Sequence, residues 1–329
     1  MAKSIYILKN SVMKRYQNTI SIVYKDNEQI IKKPIPINET SSIFAYGRVS
    51  LTSGVISLLS KMTIPVHFFN YYGFYESSLL PKKDLISGEI TIRQAENYLN
   101  NDKRIHIARQ IIESTTFNIL KNLEYYNVER EYIERIKELN SDINSANSIK
   151  GLMGIEGNIH SIYYEALDSI LPDKFRMIKR EKRPPTNIMN SLISFGNSLV
   201  YATTINEIYN THLNQTISFL HEPLNARYSL SLDISEMFKP VISDRIIMTL
   251  INKKMVDESY FDKNLNYVIL NEKGRRLFIE KYEERMNSTI KYKPLNRKVS
   301  MRHLIRIECY KLEKHLLGID NYKAFKVWW

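Results

Sequence analysis

One change of period near residue 84 constrains this chain more than any other feature of its 329 residues. Before it, apolar residues come in short β-branched runs: SIYIL at 4 to 8, TISIVY at 19 to 24 and QIIKK at 29 to 33, parted by turn formers such as Asp26 and Asn27. These predict a meander of strands. Pro34 and Pro36 interrupt it, SIFAYG resumes extended structure, and IPVHFF returns to strand. Between them Thr52 can cap a short helix, because Val55, Leu58, Leu59 and Met62 recur at i, i+3, i+4 and i+7. Residues 1–83 therefore predict a small N-terminal β-rich domain.

From residue 84 to residue 329 the spacing is helical, and the expected class is α+β, the β-rich domain being followed by a larger all-helical one. Ile105, Ala108, Ile111, Ile112 and Thr115 open the series. Its clearest member carries Ile155, Ile159, Ile162, Tyr163, Ala166, Leu167 and Ile170, a stripe that stops at Pro172. Gly151, Gly154 and Gly157 sit on its first turns, where each costs about 1 kcal/mol relative to alanine. Their presence predicts close backbone approach by a neighbouring helix or by substrate.

The charge narrows the partners. With 47 Lys and Arg against 35 Asp and Glu, the net +12 favours a polyanion, nucleic acid or an anionic membrane surface. No window of about 20 apolar residues is present, and MAKSIYILKNSVMKRYQN lacks the apolar block of a secretory signal, so a cytoplasmic protein is expected. Cys309 is the single cysteine, which excludes an intramolecular disulfide and a thiolate zinc cluster. Any metal must be held by oxygen and imidazole.

Phosphoryl chemistry without thiolates needs carboxylates, often with one His, to hold a divalent ion against a phosphate. Glu156 lies beside the apolar stripe of the glycine-rich helix. His221 follows the run ISFL and precedes Pro223. In LSLDISEMFKPVISD, Asp233 and Glu236 are three apart and share a helical face, and Pro240 would leave the Glu236 carbonyl without its usual donor. Each has a plainer reading: a solvated flank for Glu156, a cap or core residue for His221, a helix-start dipole contact for the two acids. His160, four residues after Glu156, rivals His221 as the imidazole, and spacing does not choose between them. No HExxH, Walker loop or paired CxxC is present.

Basic residues cluster twice. Lys174, Arg176, Lys179, Arg180, Lys182 and Arg183, closed by Pro184 and Pro185, suit phosphate neutralisation in a mobile loop or a plain solvated charge run. Near the carboxyl end, Arg302 and Arg306 are four apart and could follow a DNA backbone from one helical face.

Several segments, in order over nearly the whole length, closely resemble the CRISPR-associated integrase (Cas-one) family. IFAYGRVSLTSGVISLLSKMTIPVHFFNYYG resembles its β-domain core and IHIARQIIESTTFNILKNL its first long catalytic-domain helix. GIEGNIHSIYYEAL is similar to its glutamate motif, FRMIKREKRPPTNIMNSLISFGNSLVY to its basic loop and following helix, and FLHEPLNARYSLSLDISEMFKPVISDRIIM to its histidine and acidic motifs. The resemblance implies that Glu156, His221 and Glu236 are catalytic metal ligands for Mg²⁺ or Mn²⁺, with Asp233 as a supporting acid and no assigned role for His160. It implies DNA contacts from Lys179, Arg180, Lys182, Arg183, Arg302 and Arg306. Where many relatives carry Gly after the His, Glu222 stands here, an added negative charge expected beside the metal.

The implied activity is a metal-dependent endonuclease and integrase: the 3′ hydroxyl of a short foreign DNA fragment attacks a phosphodiester at a CRISPR repeat boundary. The implied assembly is a homodimer joined through the β domain, two dimers being bridged by a small partner (Cas-two) in a heterohexameric-type complex. A different class, a non-catalytic nucleic-acid-binding scaffold on the same fold, would keep the charge and lose the chemistry. A peripheral membrane protein would need binding to anionic vesicles that survives DNA competition.

Overall fold

Strands form where β-branched residues alternate, and helices where the period lengthens, in two compact units, residues 1–84 and 85–329. A computed structural model describes residues 3–82, 85–181, 184–224 and 228–328. In the first unit the order is β1 (Lys3–Ile7), β2 (Ser11–Tyr16), β3 (Thr19–Asp26), β4 (Gln29–Ile35), β5 (Thr40–Ala45), β6 (Val49–Leu51), α1 (Ser53–Lys61), β7 (Val66–Phe69) and β8 (Tyr75–Leu79). The strands make two four-stranded sheets, β1-β5-β7-β8 and β4-β3-β2-β6.

Only β2, β3 and β4 follow the expected meander. β1 leaves it to pair in parallel with β5. The strand SVMKRY escapes the sequence reading because Lys14 to Tyr16 are exposed, which dilutes its apolar alternation. Pro34 does not break β4 but lies inside it, opposite Ser21. It is tolerated because β4 is a sheet edge, where a missing N–H costs no ladder bond. Thr52 does cap α1, its side chain accepting from Val55 N at 3.4 Å. Ile7, Met13, Ile20, Ile43, Val55, Leu59 and Val66 form the heart of this unit's core.

The second unit runs α2 (Gly88–Leu99), α3 (Asn101–Tyr125), α4 (Arg130–Asp142), α5 (Ile149–Ser169), α6 (Ile188–Tyr209), α7 (Ser229–Phe238), a π-helical turn (Pro240–Asp244), α8 (Arg245–Asn252), β9 (Phe261–Asn264), β10 (Tyr267–Leu270), α9 (Glu272–Asn287), β11 (Thr289–Tyr292), β12 (Arg297–Ser300) and α10 (Met301–Leu316). It is mainly helical rather than all-helical. The pairs β9/β10 and β11/β12 are antiparallel ribbons of four residues each, too short to show a period in sequence.

α6 is buried along nearly its whole length, polar residues such as Asn190, Ser191, Thr203 and Glu207 included. α3 and α6 both pack against α7, and α3 also against α5. Gly196 lets α6 come close to the π turn, because a Cβ there would collide with Ser243 and with the Phe278 ring. Gly154 and Gly157 are different: an added Cβ would meet nothing within 4 Å, so the expected approach by a neighbouring helix does not occur among the described residues.

Candidate metal centre

α5 starts where the Ser148 side chain accepts from Gly151 N at 3.1 Å. Leu152, Ile159, Tyr163, Ala166 and Leu167 then bury one stripe of the helix, while Ile155 and Ile162 are half-buried at its margins. That rotation leaves Glu156 and His160 half-buried, with side-chain exposures of 21% and 18%. One turn apart, they meet: His160 Nε2 lies 3.1 Å from Glu156 Oε1. The same nitrogen is 3.9 Å from Glu236 Oε2, on α7.

α7 is held in place by its failure to continue as a regular helix. Pro240 has no N–H, and beyond it the chain takes a π turn, closed by Asp244 N donating to the Lys239 carbonyl at 3.2 Å. Asn118 and Asn122 of α3 donate to carbonyls at this irregularity, Met237 O at 2.9 Å and Pro240 O at 2.6 Å. Asparagines at core positions of an amphipathic helix are a signal that could have found this contact, since buried amides require partners. The turn delivers Asp244 to the interior, where Tyr163 donates to its Oδ2 at 2.9 Å.

Asp233 is fully buried and does not face open space. Its Oδ2 accepts from Phe219 N at 2.6 Å and Leu220 N at 2.9 Å, and its Oδ1 from His221 N and His221 Nδ1, both at 2.9 Å. Because a carboxylate only accepts, Nδ1 carries the proton, so when the ring is neutral its lone pair lies on Nε2, the arrangement that prepares an imidazole as a metal ligand. Two further residues secure this segment. Gln94 of α2 donates to Asn214 O and Ile217 O, and Arg104 of α3 donates to Phe219 O at 2.9 Å. Arg104 also takes Glu222, at 2.6 Å, and Tyr98 donates to the other Glu222 oxygen at 3.0 Å. The Arg104 bond holds the Glu222 carboxyl below its ordinary range, so its charge is spent on Arg104 rather than added beside a metal.

The electrostatics describe one connected group. Burial would raise the Glu236 pKa, but Lys239, which bonds Glu236 Oε1, together with His160 and His221, pulls it well down. Burial lowers both imidazoles, yet Glu156 and Glu236 raise His160, and Asp233 and Glu236 raise His221, above the ordinary histidine value. Burial pushes Asp244 up to about 6 despite Tyr163, His160, Lys239 and Arg180. Lys239, and His160 when protonated, therefore supply positive charge to the two glutamates.

Of the expected ligands, Glu156 and Glu236 are brought together. With His160 they form a set whose ligand atoms all lie within 4.8 Å of one another, and His221 is not one of that set although it feels the Glu236 charge. Asp233 stands behind His221, bonded to its Nδ1. Lys239, Asp244 and Tyr163 were missed by sequence reasoning. Two carboxylates with an imidazole close by fit a hard divalent cation.

The basic residues divide. Arg180 is not in a free loop: its guanidinium donates to Glu181 O at 2.8 Å, Asn190 Oδ1 at 2.9 Å and Ser194 Oγ at 3.1 Å, which latches the segment onto α6. Burial lowers its pKa, opposed by the nearby Tyr164 and Asp244. Lys179 is exposed, while Lys182 and Arg183 lie outside the described residues. Arg302 and Arg306 are held by Glu283 at 2.7 Å and by the buried Glu207 at 2.8 Å. Among the described residues no helix is long and apolar enough to cross a membrane.

A β-rich unit followed by a mainly helical unit, in which α5 and α7 bring Glu156, His160 and Glu236 together, defines an α+β protein with a candidate metal site. Residues 5–284 match the family model described as CRISPR associated protein Cas1, and the chain belongs to that family. It is 48% identical over 327 residues to the CRISPR-associated protein Cas1 1 of Methanobrevibacter ruminantium, covering 99% of each chain. It is 44% identical to the CRISPR-associated endonuclease Cas1 of Fusobacterium nucleatum, over 100% of this chain and 98% of that one. A solved Cas1 protein from Thermotoga maritima matches with a TM-score of 0.89 and 37% identity, over 99% of this chain and 100% of the other.

Proposed function

We propose that this chain is a metal-dependent DNA endonuclease and integrase of CRISPR adaptation, joining the 3′ hydroxyl of a short foreign fragment to a phosphodiester at a repeat boundary. The reaction exchanges one phosphodiester for another and needs no ATP. The observation that carries this reading is the convergence of Glu156 from α5 and Glu236 from α7, 80 positions apart in sequence, on the His160 imidazole. Glu156, His221 and Glu236 would hold Mg²⁺ or Mn²⁺, which when bound polarises the scissile phosphate and favours the attacking hydroxyl as its anion.

The chain's own residues prepare that site. Asp233 fixes the His221 tautomer and ring plane. His160 and Lys239 balance the carboxylates when no ion does so. Gly154 and Gly157 flank Glu156 and are exposed, so α5 offers bare backbone there to an approaching strand. Lys179, exposed beside the latched Arg180, suits a phosphate contact. For Arg302 and Arg306 the ion pairs with Glu283 and Glu207 support a structural role first. Both fragment ends must be joined, which calls for two sites. Family membership supports a homodimer through the β unit and a small Cas2 partner bridging two dimers.

Strand transfer of a pre-processed duplex into a repeat-bearing plasmid, with Mn²⁺ or with chelator, tests the reading. Glu156→Ala should lower transfer by at least about 10³-fold while duplex affinity changes by less than about threefold. Undiminished transfer by that variant, or transfer indifferent to chelator, would leave only a basic DNA-binding scaffold.

A further inference from the structure

Away from the acid cluster, the end of α3 and the sides of α8 and α9 wall a cavity of about 630 Å³. Its aromatic wall is Tyr125 and Tyr126, whose rings meet edge to face at 5.0 Å. Tyr125 is 64% exposed. The Arg245 guanidinium lies 4.0 Å from the Tyr125 ring centroid and 5.9 Å from that of Tyr126. Lys253, Lys281 and Arg285 complete a basic wall. Arg285 donates from Nε and Nη2 to Val241 O, at 3.1 and 2.9 Å, which fixes its side chain at the π turn.

Like charges gathered on one wall repel. Burial, and after it the Arg245 charge, lowers the Arg285 pKa. The one carboxylate on the wall, Glu284, is taken by Lys281 at 2.7 Å. Neither Arg245 nor Lys253 has a carboxylate within ion-pair distance among the described residues. A cavity that concentrates cations, keeps an aromatic ring at its rim and is large enough for a drug-sized molecule has the two surfaces a nucleotide uses, one for phosphate and one for a base.

We propose that this cavity binds one nucleotide unit of a single-stranded DNA segment, its phosphate on Arg245 and Lys253 and its base against Tyr125. The proposal rests on the reading of the chain as a DNA enzyme and adds to it a strand-specific subsite separate from the metal centre. A base splayed from a duplex exposes the ring face that Tyr125 can stack, whereas a paired base does not. The site is thus expected to discriminate between single strands and blunt duplex.

The test uses the full chain, a short single-stranded oligonucleotide carrying 2-aminopurine, and a blunt duplex of the same length. Tyr125→Ala and Lys253→Glu should each weaken single-strand binding about tenfold and duplex binding less than about twofold. The fluorescence quench of the stacked 2-aminopurine should vanish in Tyr125→Ala and return in Tyr125→Phe. Competition by dAMP at concentrations comparable to the oligonucleotide would support the site with a free nucleotide as its source. Unchanged single-strand affinity in both variants, with wild-type circular dichroism and intact duplex binding, overturns the subsite and leaves the integrase reading standing. Failure of the wild-type chain to bind either DNA overturns both.

Discussion

The two halves of the candidate metal centre are built in opposite ways. On α5, Glu156 and His160 are neighbours because a helix places i and i+4 side by side, and both remain half-buried. On the other side, His221, Asp233 and Glu236 owe their positions to a buried network that draws in the 218–222 segment, Arg104, Gln94 and the asparagines of α3. One half needs only a helix. The other needs the fold, and its fixed ring is the reason the proposed function takes His221, rather than the locally convenient His160, as the metal imidazole.

The sharpest way to break this contrast is to remove each imidazole. His221→Ala should cut strand transfer by about 10³-fold, and His160→Ala by less than about tenfold. The reverse order in a metal-titrated transfer assay would make His160 the ligand and the Asp233 network merely structural. Next in size is stability. Asp233→Ala strips four hydrogen bonds from one buried carboxylate and should cost about 3 kcal/mol in urea unfolding, against less than about 1 kcal/mol for Glu156→Ala. Equal losses would show that α5 is as deeply networked as α7.

Smallest is a pH effect confined to the buried half. Asp244 has its folded pKa raised from 3.8 to about 6, so its protonated form favours the folded state. That contribution is complete below about pH 3.8 and is lost as pH rises through about 6. Asp244→Asn should therefore stabilise the protein by about 2 kcal/mol at pH 7.5 and leave it nearly unchanged at pH 3.5, measured by thermal unfolding at both. A gain of the same size at both would assign it to packing instead of charge.

Local signals were the legible ones. The Thr52 cap, the α5 stripe and the change from strand to helix all follow from residues within a few positions of each other. The short ribbons β9/β10 and β11/β12 were not legible because four residues carry too little period. Nor was Pro34 in β4, since only the sheet order shows that its strand is an edge. Within the site, the acids Glu156, Asp233 and Glu236 could be named from helical spacing and resemblance. Lys239 and Asp244 carried no signal beyond the Pro240 irregularity that places them.

By itself, the sequence determined which faces are apolar, where helices begin, and that any metal must be held by oxygen and nitrogen, because these depend on side-chain chemistry and nearest neighbours along the chain. Tertiary structure alone decided which charges meet across different elements. Arg306 is drawn to the buried Glu207, Arg104 to Glu222 and Asp233 to His221, partners 99, 118 and 12 positions apart. A buried or half-buried charge takes whichever partner the packing brings near, and that distance is a property of the folded interior rather than of spacing along the chain.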